Sequence, residues 1–323
     1  MFFDLNLTVS GAVSKKGKEK QTAFFSKAEI EALETKIDIL VHLGYSVLAF
    51  SQTVNKKVDS KNHVNPLTSL LEHLKPRTGV LFLKRLNIIL DEDSEKGFGL
   101  INANVTLFNC YDLIALVPTT HATLSAACLT HSLPSQLTAH IISLPLTLPR
   151  LPYYLKHTLI RTALKNGAVF EISYVGAIGG NSDPALVEAN AAENGSSAKR
   201  NWWSSAREVV RVTKGKGLIV SSGAVNDSDL RAPRDVCNLI SILGLSQDAA
   251  HDTSSKVPQS LVIRAETRKT YRAVLSEPTL VIPKGSVSDT MELDEPTTIP
   301  TKRSLEVAGG GNTKKKKKNN KRA

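Results

Sequence analysis

Short apolar runs recur through the first 270 residues, and most are separated by a helical pattern or a long connection. Most of these runs are apolar at nearly every position, which is typical of parallel strands covered on both faces. Eight β/α repeats over about 280 residues predict an α/β fold, an eight-stranded parallel TIM-type barrel. The predicted strands are Phe2–Leu7, Ser46–Phe50, Val80–Leu90, Asp112–Val117, Ile141–Leu146, Ala168–Tyr174, Gly217–Ser221 and Leu261–Ala265.

Two of the intervening helices have clear boundary signals. Ser26 and Glu29 have the spacing of a capping box, apolar residues follow at helical spacing, and Gly44 ends the helix just before the second strand. A later helix begins at Ala232-Pro233, with proline at its first position, and stops at Gly244. These signals place both helices between strands, as a barrel requires.

Two stretches lack the periodic apolar residues of a packed core. The segment from Gly179 to Ser197 is rich in Gly, Asn, Ser, Ala and acidic residues, which predicts a long polar insertion after strand six. Everything beyond Lys284 predicts a disordered extension that ends in a lysine-rich tail. We therefore divide the chain into a barrel domain, residues 1–283, and a disordered tail, residues 284–323.

Positive charge is concentrated at the end of the chain. The formal net charge is +11, and seven basic tail residues leave only about +4 for the rest. A polyanionic partner suits both parts, because Lys and Arg neutralise phosphates and release counterions. The composition of the tail predicts a nuclear or nucleolar localisation signal or an RNA-binding arm. Its basic residues are Lys314, Lys315, Lys316, Lys317, Lys318, Lys321 and Arg322.

Enzyme motifs are scarce in this sequence. A stand-alone metal-dependent phosphoesterase barrel needs clustered His and carboxylate ligands at the strand ends, but no two of the eight histidines form a His-x-His pair. Glycine-rich nucleotide loops and a nucleophile elbow are also absent. We expect no catalytic residue, no metal and no cofactor, with the phosphoesterase kept as the alternative. The three cysteines are far apart and form no Cys-x-x-Cys pair, which is typical of thiols in a reducing compartment, and there is no run of about 18 apolar residues. We therefore expect a soluble intracellular protein with no membrane partner.

Arginines flank the start of the helix after strand seven. Arg231 and Arg234 lie at the positive end of its dipole, where a cation is disfavoured unless an anion compensates. That anion is either a bound phosphate or an internal carboxylate. The candidate carboxylates are Asp227, Asp229 and Glu266.

Two further sets of basic residues extend this pattern. Arg268 and Lys269 follow the predicted eighth strand, and we expect them to join Arg231 and Arg234 in one polar rim that contacts RNA or a protein partner. A second candidate surface lies on a predicted helix, where basic residues at helical spacing lie beside a tryptophan. This arrangement can bind a nucleic-acid backbone or a protein. These residues are Arg207, Arg211 and Lys214, with Trp203 on the neighbouring stripe.

Seven segments, in order over residues 1–272, form one combined pattern: Phe3–Asn6, His42–Val47, Tyr111–Pro118, Phe170–Tyr174, Gly215–Ala224, Arg231–Val236 and Ala265–Lys269. Together they resemble the thirty-kilodalton protein subunit family of ribonuclease P and ribonuclease MRP. The sequence departs from the family pattern in the Gly179 to Ser197 insertion and at Arg234, where a smaller or neutral residue is expected.

The resemblance implies a barrel without a metal centre that serves an RNA-based endonuclease. Catalysis then belongs to the RNA, the isolated chain is inactive, and this subunit pairs with another protein subunit and helps to position or stabilise that RNA. The processes implied are removal of the 5′ leader of precursor tRNA, contacted indirectly, and processing of precursor rRNA by the MRP particle. The expected location is the nucleus, including the nucleolus. A further hypothesis is that the chain is a pure scaffold, which binds the protein partner without contacting RNA.

Overall fold

The computed structural model describes residues 1–9, 25–55, 58, 63–92 and 99–269. Within these ranges, seven parallel strands form one sheet in which each strand pairs with the next along the chain. The strands are β1 (Phe3–Thr8), β2 (Val47–Asn55), β3 (Leu81–Leu90), β4 (Leu113–Pro118), β5 (Ile141–Ser143), β6 (Val169–Ser173) and β7 (Leu218–Ser221). The first seven predicted strands are therefore confirmed, with shifts at their ends.

Helices connect the strands and cover the sheet, as the β/α pattern predicts. In the described ranges they are α1 (Lys27–His42), α2 (Pro66–His73), α3 (Val105–Phe108), α4 (His121–Leu129), α5 (His157–Lys165), α6 (Val175–Ile178), α7 (Pro184–Glu188), α8 (Ser196–Thr213), α9 (Pro233–Ser241), α10 (Gln247–Asp252) and α11 (Lys256–Lys269). None of the helices in the described part of the chain is both long and apolar enough to cross a bilayer.

The predicted boundaries of α1 are confirmed by its caps, and the predicted start of α9 is confirmed by its proline. The Ser26 hydroxyl accepts a hydrogen bond from the Glu29 backbone N–H at 3.2 Å, and the Glu29 carboxylate accepts one from the Ser26 N–H at 2.7 Å. Gly44 follows α1 at a φ of +101°, a backbone conformation that favours glycine. Pro233 is the first residue of α9, which ends at Ser241, three residues before Gly244.

Two apolar layers lie on the two sides of the sheet. The inner layer fills the barrel and includes Val47 and Ala49, whereas the outer layer, under the helices, includes Leu48 and Phe50. Successive side chains of a strand point to opposite faces of the sheet. The continuous apolar sequence at the start of β2 therefore serves both layers.

The first and last strands nearly close the sheet into a barrel. The N–H of Gly223, just after β7, donates to the carbonyl of Asn6 in β1 at 3.1 Å. The carbonyls of Thr253 and Ser254 accept hydrogen bonds from β7 and β1 at 3.2 and 3.0 Å. These two turn residues, between α10 and α11, occupy the place at which an eighth strand would bridge β7 and β1.

The predicted eighth strand at Leu261–Ala265 is wrong, because this segment lies inside α11. A short apolar run fits a buried helix as well as a strand, and periodicity alone does not separate them. Leu261 and Ala265 are one helical turn apart, and both are buried with inner-layer residues at the beginnings of the strands, including Phe3 and Val47. Helix α11 therefore closes the end of the barrel at which the strands begin.

The polar insertion predicted at 179–197 is more ordered than expected. It contains α7 and the first residues of α8, and Ala191 is buried against Ile89 and Val117 at the ends of β3 and β4. The insertion therefore packs over the end of the barrel at which the strands finish. The predicted domain boundary at residues 283 and 284 and the disordered tail lie outside the described residues.

Candidate nucleic-acid interface

An ion pair between Arg85 in β3 and Glu171 in β6 crosses the barrel interior. Arg85 Nη1 donates to Glu171 Oε1 at 2.6 Å and Nη2 to Oε2 at 2.5 Å, and neither side chain has any exposed surface. Arg85 Nε also donates to Asn87 Oδ1 at 2.6 Å, and Nη1 to the Leu5 carbonyl at 2.7 Å. A two-pronged contact with further hydrogen bonds is the arrangement that compensates the cost of burying two charges.

The surroundings of Glu171 keep it ionised. Burial alone would raise the pKa of this carboxyl, but the charge and hydrogen bonds of Arg85 outweigh it, helped by the hydroxyls of Ser221 and Ser143, and hold the pKa below its ordinary value. The Ser221 hydroxyl donates to Oε1 at 2.6 Å. Both carboxylate oxygens are thus occupied by internal donors, so Glu171 acts as a structural counter-ion.

A bulge in β1 and the polar insertion place further side chains at the end of the barrel at which the strands finish. The pairing of β1 with β2 shifts by one residue between Asp4 and Leu7, which re-aims the intervening side chains. Asn6 then reaches the side chain of Asn87, whose Nδ2 donates to Asn6 Oδ1 at 3.4 Å. Above them, the Thr53 hydroxyl donates to Asp183 of the insertion at 2.5 Å.

The serine that follows β7 also forms its hydrogen bonds within the barrel. The hydroxyl of Ser222 donates to the Asn6 carbonyl at 3.3 Å, and its N–H donates to Asp4 Oδ1 at 3.0 Å. Burial raises the pKa of Asp4, although hydrogen bonds from Ser222 and Asn6 oppose this effect. Within the described residues, no three His, Cys, Asp or Glu side chains lie close enough together to hold a metal ion.

The two arginines before and within α9 are exposed. The Arg231 guanidinium donates to the carbonyls of Ser228 and Leu230, both at 2.7 Å. Neither Arg231 nor Arg234 forms an ion pair with a residue in the described ranges.

The acidic partners expected for these arginines are engaged elsewhere or buried. Asp227 lies 3.5 Å from the Lys36 ammonium, and Glu266 lies 3.6 Å from that of Lys269. Asp229 Oδ2 is buried without a hydrogen-bond partner. The internal compensation anticipated for Arg231 and Arg234 is therefore not formed, and their positive charge is available to an external anion.

Arg268 and Lys269 do not share a rim with those arginines, so the predicted single rim is wrong. Arg268 is only 5% exposed and donates to the carbonyl of Tyr111, which precedes β4, at 2.7 Å. Lys269 is paired with Asp112, also before β4, at 2.5 Å. Because α11 is a helix across the strand starts, both side chains are used inside the fold at that end of the barrel.

The second predicted basic surface lies on α8. Arg207, Arg211 and Lys214 are all exposed, and Trp203 is half-buried beside them. Arg211 is held by Glu208 through two hydrogen bonds of 2.7 and 2.6 Å. Helical spacing thus predicted the common face of Arg207 and Arg211, beside which Glu208 adds one carboxylate. Lys214 instead follows the last turn of α8 in a left-handed conformation, at a φ of +54°.

Sequence reasoning missed the loop between β5 and α5, which lies next to this helix. Helices α5 and α8 pack against each other, and residues 149–155 face residues 200–208 across a cleft. Arg150, Tyr154 and Arg200 are exposed there. The signal available in the sequence was the absence of acidic residues from 148–165, which contains four Lys and Arg residues.

These features define a β/α barrel with a filled interior whose exposed cations lie on its outer surface. A family model described as RNase P subunit p30 matches residues 1–270, and the chain belongs to this family. Ribonuclease P protein subunit p30 of Mus musculus is 27% identical over 268 residues, which cover 81% of this chain and 90% of the mouse protein.

A yeast relative and a solved structure are also similar to this chain. Ribonuclease P/MRP protein subunit RPP1 of Saccharomyces cerevisiae is 27% identical over 302 residues, which cover 88% of this chain and 92% of the yeast protein. A chain of an archaeal ribonuclease P solved by cryo-EM with mature tRNA superposes with a TM-score of 0.51 at 15% identity, covering 82% of this chain and 91% of that chain. The latter similarity concerns the fold alone.

Proposed function

We propose that this chain is a non-catalytic protein subunit of the RNA-based endonucleases ribonuclease P and ribonuclease MRP. In this role it supports removal of the 5′ leader of precursor tRNA and processing of precursor rRNA. The observation that carries the proposal is the match of the p30 family model to residues 1–270, which include all seven strands of the barrel.

The barrel interior supports a role without catalysis by this chain. In barrel enzymes, reacting groups lie where the strands end. Here Glu171 is neutralised by Arg85, and the insertion packs over the same end of the barrel through Asp183 and Ala191. The groups that a stand-alone phosphoesterase would use are engaged with one another, which favours the subunit over that alternative.

The proposed partners are the catalytic RNA of the particle and other protein subunits, with precursor tRNA contacted indirectly. Exposed cations suit this role because they neutralise phosphates. We assign contact with RNA or a partner subunit to Arg231 and Arg234 at α9, to Arg207 and Arg211 on α8, and to Lys214 just after α8. Arg268 and Lys269 are not assigned to these surfaces, because their side chains bind Tyr111 and Asp112 within the fold.

The proposed location is the nucleus, including the nucleolus, where the particle would assemble. The basic residues of the tail serve in this proposal as the localisation signal and as an additional, sequence-independent RNA-binding arm. Deleting the tail from a fluorescently labelled chain is expected to reduce nuclear accumulation, and an unchanged distribution would remove this part of the proposal.

Affinity purification of a tagged full-length chain, followed by sequencing of the bound RNA, tests the function directly. We expect ribonuclease P and MRP RNA to be enriched over an untagged control, together with other protein subunits. The isolated chain should not hydrolyse phosphate esters when supplied with divalent metal. Recovery of a folded chain without either RNA, or metal-dependent hydrolysis by the chain alone, would overturn the proposal.

A further inference from the structure

A groove runs along one side of α8 on the outside of the barrel. Its larger part is a cleft of about 770 Å³ between residues 149–155 and residues 200–208. An adjoining smaller cavity is lined by Trp203, Arg207 and Arg211, and it shares Ser204 and Glu208 with the cleft. We call this continuous depression the α8 groove.

The α8 groove lies in the middle of a strongly basic surface. The segments that form α5, α8 and their flanks, residues 148–165 and 196–216, contain ten Lys and Arg residues, all exposed, and one carboxylate, Glu208. That carboxylate is already bound by Arg211. Arg150 and Arg200 line the cleft itself, and Arg207 lines its continuation. Such an excess of positive charge fits an anionic chain laid along the groove.

Tyr154 gives the groove an aromatic platform. Tyr154 is 87% exposed, which is the highest value among the large apolar residues that the structure describes. The loop that carries it is anchored at Thr147, whose carbonyl accepts from Asn201 Nδ2 at 3.2 Å and whose hydroxyl accepts from the Glu193 N–H at 3.0 Å. The ring is therefore presented to solvent by an anchored loop, beside arginines.

We propose that the α8 groove binds an unpaired segment of the RNA with which this subunit assembles, with a nucleobase stacked on Tyr154 and phosphates bound by Arg150, Arg200 and Arg207. Aromatic side chains that alternate with cations along a groove bind single strands by stacking bases and neutralising the backbone. This assignment rests on the proposed function and adds to it a specific surface and the chemical class of its ligand.

The choice of unpaired RNA follows from Tyr154. In an A-form duplex the base faces are stacked inside the helix, so an exposed ring can stack only on bases that are splayed out. Cations alone would accept a duplex equally well. A groove with both features should prefer a single strand, and the preference should depend on the ring.

The test uses the full-length chain with the seven basic residues of the tail changed to glutamine, so that the tail does not mask the groove. The probe is a labelled oligouridine RNA of about 12 nucleotides, and binding is followed by fluorescence anisotropy. Tyr154→Ala should weaken binding about 5- to 50-fold, whereas Tyr154→Phe, which keeps the ring, should bind like the parent. An Ala variant as tight as the Phe variant would overturn the stacking assignment.

Charge reversal tests the phosphate contacts. Arg150→Glu combined with Arg200→Glu should weaken binding and reduce the slope of log affinity against log salt by about 1.4, because two phosphates lose their counter-charges. Lys27→Glu combined with Lys256→Glu, at exposed residues of α1 and α11 outside the groove, reverses the same number of charges and is the matched control. Equal losses in the control and the double variant would show only a general charge effect and would contradict the proposal.

A photocrosslinker in place of Tyr154 separates this inference from the proposed function. Tyr154→p-benzoylphenylalanine in the particle purified from cells should crosslink to RNA at an unpaired nucleotide. A crosslink to a protein subunit, or to a base-paired nucleotide, would overturn the groove assignment and leave the subunit function standing. Failure of the unsubstituted chain to recover ribonuclease P or MRP RNA would instead overturn both.

Discussion

Arg231 and Arg268 are bonded to different ends of the strands. The backbone N–H of Arg231 donates to the hydroxyl of Tyr174, which follows β6, whereas the Arg268 guanidinium donates to the carbonyl of Tyr111, which precedes β4. The first side chain is exposed and the second is buried. Two arginines of similar charge therefore have different roles, one open to an external anion and the other inside the fold.

Replacement of Arg268 should distinguish volume from charge. Burial lowers the pKa of its guanidinium to about 10, and Nε and Nη1 are buried without hydrogen-bond partners. Arg268→Met keeps most of the volume, so we expect the free energy of unfolding in urea to change by less than about 1.5 kcal/mol. Arg268→Ala should lower it by about 2–4 kcal/mol through the cavity that it leaves. Equal losses in both variants would contradict this account.

The ion pair inside the barrel should behave as one unit. Arg85→Met leaves Glu171 as an uncompensated buried charge, and Glu171→Leu does the same to Arg85, so each should cost about 3–5 kcal/mol of unfolding free energy. The double variant should be more stable than the sum of the two losses implies, since no charge remains unpaired. Urea denaturation of all four proteins gives the coupling energy, and additive losses would show that the pair is not coupled.

Sequence patterns predicted the parts of this molecule that depend on local rules. The capping residues of α1, the proline of α9 and the placement of Arg207 and Arg211 on one face of α8 all follow from helical geometry. These features depend only on residues that are close in sequence, so they could be predicted without a structure.

Features that depend on distant contacts could not be predicted in this way. Leu261–Ala265 is a helix because it packs under the barrel, and no local signal separates that environment from a strand. The prediction that Arg268 lies on one rim with Arg231 was wrong for the same reason, because it depended on the eighth strand. The cleft beside Tyr154 joins segments about 50 residues apart in sequence, and only the packing of α5 against α8 brings them together.

Asp4→Asn tests the cost of a buried carboxylate. Burial raises the pKa of Asp4, so the folded protein binds this proton more tightly than the unfolded chain, and stability gained from it grows as pH falls through the folded pKa. At neutral pH the asparagine variant should be at least as stable as the parent, because its Oδ1 still accepts from Ser222. Asp4→Ala should lose about 1–3 kcal/mol by leaving buried N–H groups unpaired. Urea denaturation at neutral pH checks both, and a loss in Asn equal to that in Ala would contradict the argument.

His140 should make the protein sensitive to mild acid. Burial, followed by the charges of Arg268 and Arg264, lowers the pKa of its imidazole to about 4. Between its ordinary value of 6.5 and about 4, the unfolded chain binds a proton at this residue and the folded chain does not, so stability falls as pH decreases through this window. The shift corresponds to about 3 kcal/mol over the whole window. Urea denaturation at several pH values should show this loss in the parent and a smaller one in His140→Gln, whereas His157→Gln, at an exposed residue of α5, should follow the parent. A pH dependence in His140→Gln as steep as that of the parent would mean that this buried imidazole is not the group that titrates.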